Sequence, residues 1–204
     1  QKFQFIIDRV IDEVNIGGKN TEDVIVSVLN TQRKVNASEV SILVPGSLKR
    51  IYPRTQHQAE YINLLQTKDM VFCTGSAGSG KTFLAVAEAL RLVLSHKKNK
   101  IIITRPVVEA GENLGFLPGD LEQKIDPYLR PLRDAMEAII PAETVRKLSE
   151  SGIIEVAPLA YMRGRTLNNA VILLNEAHNT TCSLMKMFFT RIGDNSKIFV
   201  TPSA

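Results

Sequence analysis

Beyond residue 55 the chain alternates two kinds of apolar pattern. Five short stretches have a mostly apolar centre without regular alternation: DMVFCTG from Asp69, NKIIITRP from Asn99, GIIEVAP from Gly152, NAVILLNEAH from Asn169 and SKIFVTP from Ser196. A strand with one wet face alternates polar and apolar residues. Continuous β-branched runs therefore predict strands buried on both faces, as in a parallel sheet with helices on either side. Between the first two runs the spacing predicts a helix from about Lys81 to His96, closed by Lys97, Lys98 and Asn99, whose cations suit its negative end. The expected architecture is a three-layer α/β domain.

The residues before this domain follow another pattern. FQFIIDRVIDEV and TEDVIVSVLN carry apolar residues at helical spacing, the second behind Thr21 as N-cap. EVSILVPG predicts a short strand ending in a Pro-Gly turn, and SLKRIYPR reads as a linker. The chain thus divides into residues 1–52, the end of a small N-terminal α+β module with its linker, and 53–204, the α/β domain. It opens on Gln1 and stops at VTPSA just after a strand-like run, so the expectation is a piece of a longer protein whose second domain is incomplete.

Composition narrows the classes. The 204 residues are 44% hydrophobic and 23% charged, ordinary for a globular domain, and no apolar run nears the roughly 20 residues that span a bilayer. Two cysteines, Cys73 and Cys182, are too few for a disulfide framework and lack metal-ligand neighbours. They are expected to be small buried thiols, with a cytoplasmic setting and no membrane partner. A net charge of +4 permits a nucleic-acid partner without demanding one.

Chemistry concentrates after the first strand. Gly75, Ser76, Ala77, Gly78, Ser79, Gly80, Lys81 and Thr82 fit GxxxxGK[ST], with a strand before and a helix after. Glycines let backbone N–H groups curl around phosphates, and the helix start adds its positive end. Lys81 is expected to be a solvent-facing point charge until it neutralises the β- and γ-phosphates of ATP, and the Thr82 hydroxyl is expected to bind Mg²⁺. NAVILLNEAH supplies the second element. A strand ending in acids is where such folds orient Mg²⁺ and activate water, which makes Glu176 the candidate catalytic acid beside Lys81. Asn175, the other candidate metal residue, stands where an aspartate is usual. Its amide oxygen can hold a metal-bound water, but it brings no charge.

These stretches, together with IIITRPVVEAGENLGFLPGDLEQKIDPYLRPLRDAM, GIIEVAPLAYMRGRTL and LLNEAHNTTCSLMKMFFTRIG, resemble the PhoH-like, phosphate-starvation-inducible family of P-loop ATPases, from Pro53 to the end. The resemblance implies a cytoplasmic ATP-binding protein with a RecA-like core related to superfamily-one helicases. It also implies a link to RNA metabolism and a homo-oligomeric, hexameric ring. It would make Gln58, in RTQHQ, an adenine reader, although taken alone Gln58 is a surface helix residue. Arg105, Arg163 and Arg165 become candidates for contacting single-stranded RNA or a neighbouring subunit's phosphate, against the alternative of solvated loop charges. The chain departs from the family at Asn175, at His178 in place of a glutamine, and at VTPSA in place of Val-Thr-Gly-Asp.

Two readings stay open on these residues: a Mg-dependent ATPase that acts on RNA, and an ATP-dependent binding switch with little or no hydrolysis. A small-molecule P-loop kinase is disfavoured, since no arginine-rich lid segment is found.

Overall fold

The computed structural model describes residues 40–47, 50–106 and 130–202. The two N-terminal helices expected before residue 31, and the proline-bounded segment over 107–129, lie outside the described residues. A two-residue ladder comes first: β1 (Ile42–Leu43) pairs antiparallel with β2 (Arg50–Ile51). The expected strand in EVSILVPG is therefore present, and the stretch read as linker contributes its partner. Ile42 and Val44 are fully buried in the same core as the helices that follow.

All five apolar runs form strands of one parallel sheet. These are β3 (Met70–Phe72), β4 (Lys100–Arg105), β5 (Ile154–Pro158), β6 (Ala170–Asn175) and β7 (Lys197–Thr201), in the order β3-β7-β6-β4-β5. One face carries α1 (Gln56–Thr67), α2 (Lys81–Leu94), a helix α3 over 130–137 and α4 (Ala142–Glu150). Its core includes Ile62, Leu90, Met136, Val145, Ile103, Leu173 and Phe199. The other face is covered by α5 (Cys182–Phe189) and two 3-10 turns, Leu159–Met162 and Ala177–Asn179, over Ile102, Ile172, Leu174 and Val200. Three layers result, as the pattern of runs predicts.

Burial on both faces holds only in the middle of the sheet. Every residue of β6 and β7 is buried, but at the two edges Met70, Phe72 and Val156 are exposed. An edge strand has a neighbour on one side only, and its outer residues outrun the helices above it. A local apolar run cannot reveal its place in the strand order.

The ends of the strands opposite the glycine loop are held by a polar knot around Gly193. Its N–H donates to Leu167 O at 2.9 Å, while the Asn168 side-chain oxygen accepts from Asp194 N at 2.9 Å. A Cβ at residue 193 would fall 1.7 Å from that oxygen. Gly193→Ala must expel the Asn168 amide and break its bond, which is expected to cost about 1 kcal/mol and roughly 2–4 °C in melting temperature. A thermal scan showing no change would contradict this account of the knot.

Candidate functional site

The parallel strands all end at the same edge, and the glycine loop crosses it. The ladder runs one residue past β3, where Cys73 N donates to Val200 O at 2.9 Å, and the loop then turns into α2. Gly80 is its pivot. Its φ of 85° and ψ of 8° lie in the left-handed region, and a Cβ there would meet Gln58 Nε2 at 3.2 Å. As N-cap, Gly80 also places no side chain over the first N–H groups of α2, so the positive end of a 14-residue helix stays open.

Lys81 does not face solvent, contrary to the sequence-based expectation. It is 8% exposed, and its Nζ donates to Gly75 O at 2.6 Å, Ser76 O at 2.8 Å and Ser79 Oγ at 3.4 Å. The loop carbonyls of Gly75 and Ser76 both point at the ammonium, and Ser76 O also accepts from Ser79 Oγ at 2.8 Å. The cation therefore already sits inside the ring of backbone that would enclose a phosphate.

Asn175, the last residue of β6, is 7% exposed and joins the loop to the sheet. Its Oδ1 accepts from Thr82 Oγ1 at 3.3 Å and from Thr201 Oγ1 at 3.0 Å. Thr201 is a site residue that the sequence reading missed. Its signal was present, a polar residue closing the apolar run of β7, but only its strand order places it beside β6. Glu176 follows with φ 57° and ψ 39°, left-handed backbone that costs a side-chain-bearing residue free energy. Its N–H still donates to Thr201 O at 3.0 Å, and its carboxylate lies 3.5 Å from His178 Nδ1. The twist turns the carboxylate off the strand line at the edge of the sheet.

The remaining predicted residues divide. Gln58, on the first turn of α1, donates from Nε2 to Ser79 O at 3.0 Å and accepts from Arg54 N at 2.7 Å, so its amide rests on the glycine loop. Arg105 ends β4 at the site edge. Arg163 is exposed on the loop after the first 3-10 turn. Arg165 is neither a solvated loop charge nor directed at the glycine loop. It forms a two-pronged ion pair with Glu155 of β5, and its guanidinium holds that carboxyl below its usual range. Of the cysteines, Cys73 is half-buried, and burial raises its thiol pKa while the Lys81 charge pulls it back. Cys182 is exposed, because it opens α5 on the outer side of the turn, and so is not a buried thiol.

The arrangement fits a polyphosphate. An open helix start, a buried cation and a curl of glycine backbone converge on one spot. It fits Mg²⁺ only with help. Among the described residues no group of three or more His, Cys, Asp or Glu could hold a metal, and Thr82 and Asn175 offer neutral oxygens. Mg²⁺ commonly takes one or two protein oxygens and completes its shell with phosphates and water, so Thr82 would hold it with Asn175 behind.

Fold and loop together define a P-loop NTPase-like α/β domain. The family profile described as PhoH-like protein matches residues 50–204, and the chain belongs to that family. The PhoH-like protein of Bacillus subtilis (strain 168) is 47% identical over 192 residues, covering 94% of this chain and 57% of that one. The PhoH-like protein of Mycobacterium leprae (strain TN) is 54% identical over 153 residues, covering 75% and 44%. Protein PhoH of Escherichia coli (strain K12) is 43% identical over 152 residues, covering 74% and 43%. The chain thus spans about half the length of the curated relatives it matches. Among solved structures, the large terminase of a thermophilic bacteriophage overlays 68% of this chain and 34% of its own at 13% identity and a TM-score of 0.38, too loose a likeness to carry an argument. Among the described residues no helix is long and apolar enough to cross a membrane.

Proposed function

We propose that this domain binds ATP with Mg²⁺ and hydrolyses it, and that the protein containing it works on RNA in the cytoplasm as a homo-oligomeric ring. The observation that carries the nucleotide part is Lys81 Nζ held within the loop oxygens of Gly75, Ser76 and Ser79, directly before an uncapped helix start. In this reading the loop N–H groups and Lys81 grip the phosphates, and Thr82 faces the metal. Glu176 accepts a proton from the attacking water and aligns it with the terminal phosphorus. Mg²⁺, which Thr82 with Asn175 behind it would hold, would supply neutralisation of phosphate charge. Arg105 at the strand edge and exposed Arg163 are the candidates for RNA or a neighbour's phosphate, and Arg165 could join them only by leaving Glu155. The test is an ATPase assay with and without single-stranded RNA. Stimulation by RNA supports the whole reading, whereas ATP binding without turnover reduces it to the binding switch.

One observation favours that switch as a second reading. Asn175 holds the Thr82 hydroxyl with a neutral oxygen where a carboxylate would add charge opposite a dication. Asn175→Asp keeps both hydroxyl bonds and supplies that charge. It is expected to raise hydrolysis roughly tenfold and to lower the Mg²⁺ concentration required. Without Mg²⁺ it is expected to destabilise the domain by about 1–2 kcal/mol, because the new carboxylate is buried. Rates over a Mg²⁺ series decide. Identical Mg²⁺ dependence in both proteins would remove the argument that Asn175 weakens the metal site.

A further inference from the structure

The resemblance implies that Gln58 reads adenine, but in the structure its amide is bonded to the glycine loop. A two-pronged contact to adenine needs one amide N–H and the amide oxygen side by side. Here one N–H of Nε2 donates to Ser79 O at 3.0 Å and Oε1 accepts from Arg54 N at 2.7 Å, which orients the amide by the loop and the chain before α1 rather than by a base. The support behind this amide is rigid. Thr55 caps α1 by accepting from Gln58 N at 3.2 Å. At the other end Lys197 Nζ, on β7, donates to Leu65 O and Gln66 O at 3.1 Å and to Lys68 O at 2.8 Å. Ile62 and Leu65 fix the buried side of the helix in the main core. Gln58 is thus the tip of a strut clamped to the sheet, and the tip rests on the loop. Gly80 completes the fit, since a Cβ there would crowd Nε2 at 3.2 Å.

We infer that Gln58 is a positioning residue for the phosphate loop: through Ser79 it fixes the curl around Lys81, and it acts equally on any polyphosphate ligand, whatever its base. The inference rests on the nucleotide reading above and goes past it. A loop that must order itself on binding loses affinity in proportion to the fraction of time it is correctly curled. One neutral hydrogen bond is worth enough for about a five- to tenfold loss. That loss falls on ATP, GTP and base-free triphosphate alike.

Calorimetric titrations of the full chain with Mg-ATP, Mg-GTP and inorganic tripolyphosphate test this, in the wild type, Gln58→Ala and Gln58→Met. The methionine keeps the apolar stem and removes both polar atoms. The expected result is one common factor of loss across all ligands in both variants, with melting temperatures close to wild type. A destabilised fold would also lower every affinity by one factor, but only together with a fall in melting temperature, so a common factor at unchanged melting temperature marks the loop effect. Where tripolyphosphate binds too weakly to titrate, the ATP-to-GTP affinity ratio decides by the same criterion and should not move. Loss confined to ATP, or no loss at all, overturns the inference. A wild-type chain that binds none of the three overturns the nucleotide reading itself, an outcome distinct from any difference among variants.

Discussion

Replacement of Lys81 by alanine is expected to lower ATP affinity at least a hundredfold while the domain stays folded. The ammonium would make charge-assisted contacts to the β- and γ-phosphates, each worth about 1.5–3 kcal/mol, and two of them account for a hundredfold or more. No other described cation is held inside the loop to substitute for it. The fold should register a smaller effect. Lys81 donates to Gly75 O, Ser76 O and Ser79 Oγ, so the variant loses these three bonds at a cost of about 1–2 kcal/mol, although Ser76 O keeps the Ser79 hydroxyl. Had Lys81 faced solvent, removing it would have left stability untouched. Calorimetry and a thermal scan on the same sample separate the two effects. Unchanged affinity for ATP would sink the assignment of this loop to phosphate.

The difference between the two expectations for Lys81 marks where the sequence stops being informative. Local signals decided well. The five apolar runs became the five strands, and the glycines before a helical pattern became the loop, because run length and turn chemistry act between near neighbours. Long-range placement was not legible. Val71 is buried between two exposed neighbours because β3 is an edge strand, and nothing within DMVFCTG encodes an edge. Thr201 reaches Asn175 because β7 lies beside β6, across 26 residues of chain. Arg165 reads as a loop charge until Glu155, ten residues earlier, is found on the adjacent strand edge. Which donor fills a curl of carbonyls depends on the folded loop, and that hid the position of Lys81.

Glu176→Gln is expected to lower ATP hydrolysis by about 10²–10³-fold while ATP binding stays within about twofold of wild type. The substitution keeps size and shape and removes a proton acceptor, and no phosphate contact depends on it. The backbone gives a second, independent line. Glu176 sits at φ 57°, a conformation that glycine adopts without strain and other residues adopt at a cost of roughly 1 kcal/mol. If position 176 served only to end a strand, glycine would be the better residue there. Glu176→Gly is therefore expected to melt no lower than wild type, since relief of strain offsets the greater flexibility of the unfolded chain, and to be as inactive as Glu176→Gln. The two variants together separate the carboxylate from the turn that presents it. Hydrolysis above a tenth of the wild-type rate in Glu176→Gln would remove Glu176 from the catalytic role. A large fall in melting temperature in Glu176→Gly would show instead that the side chain is kept for the fold, through its 3.5 Å contact with His178.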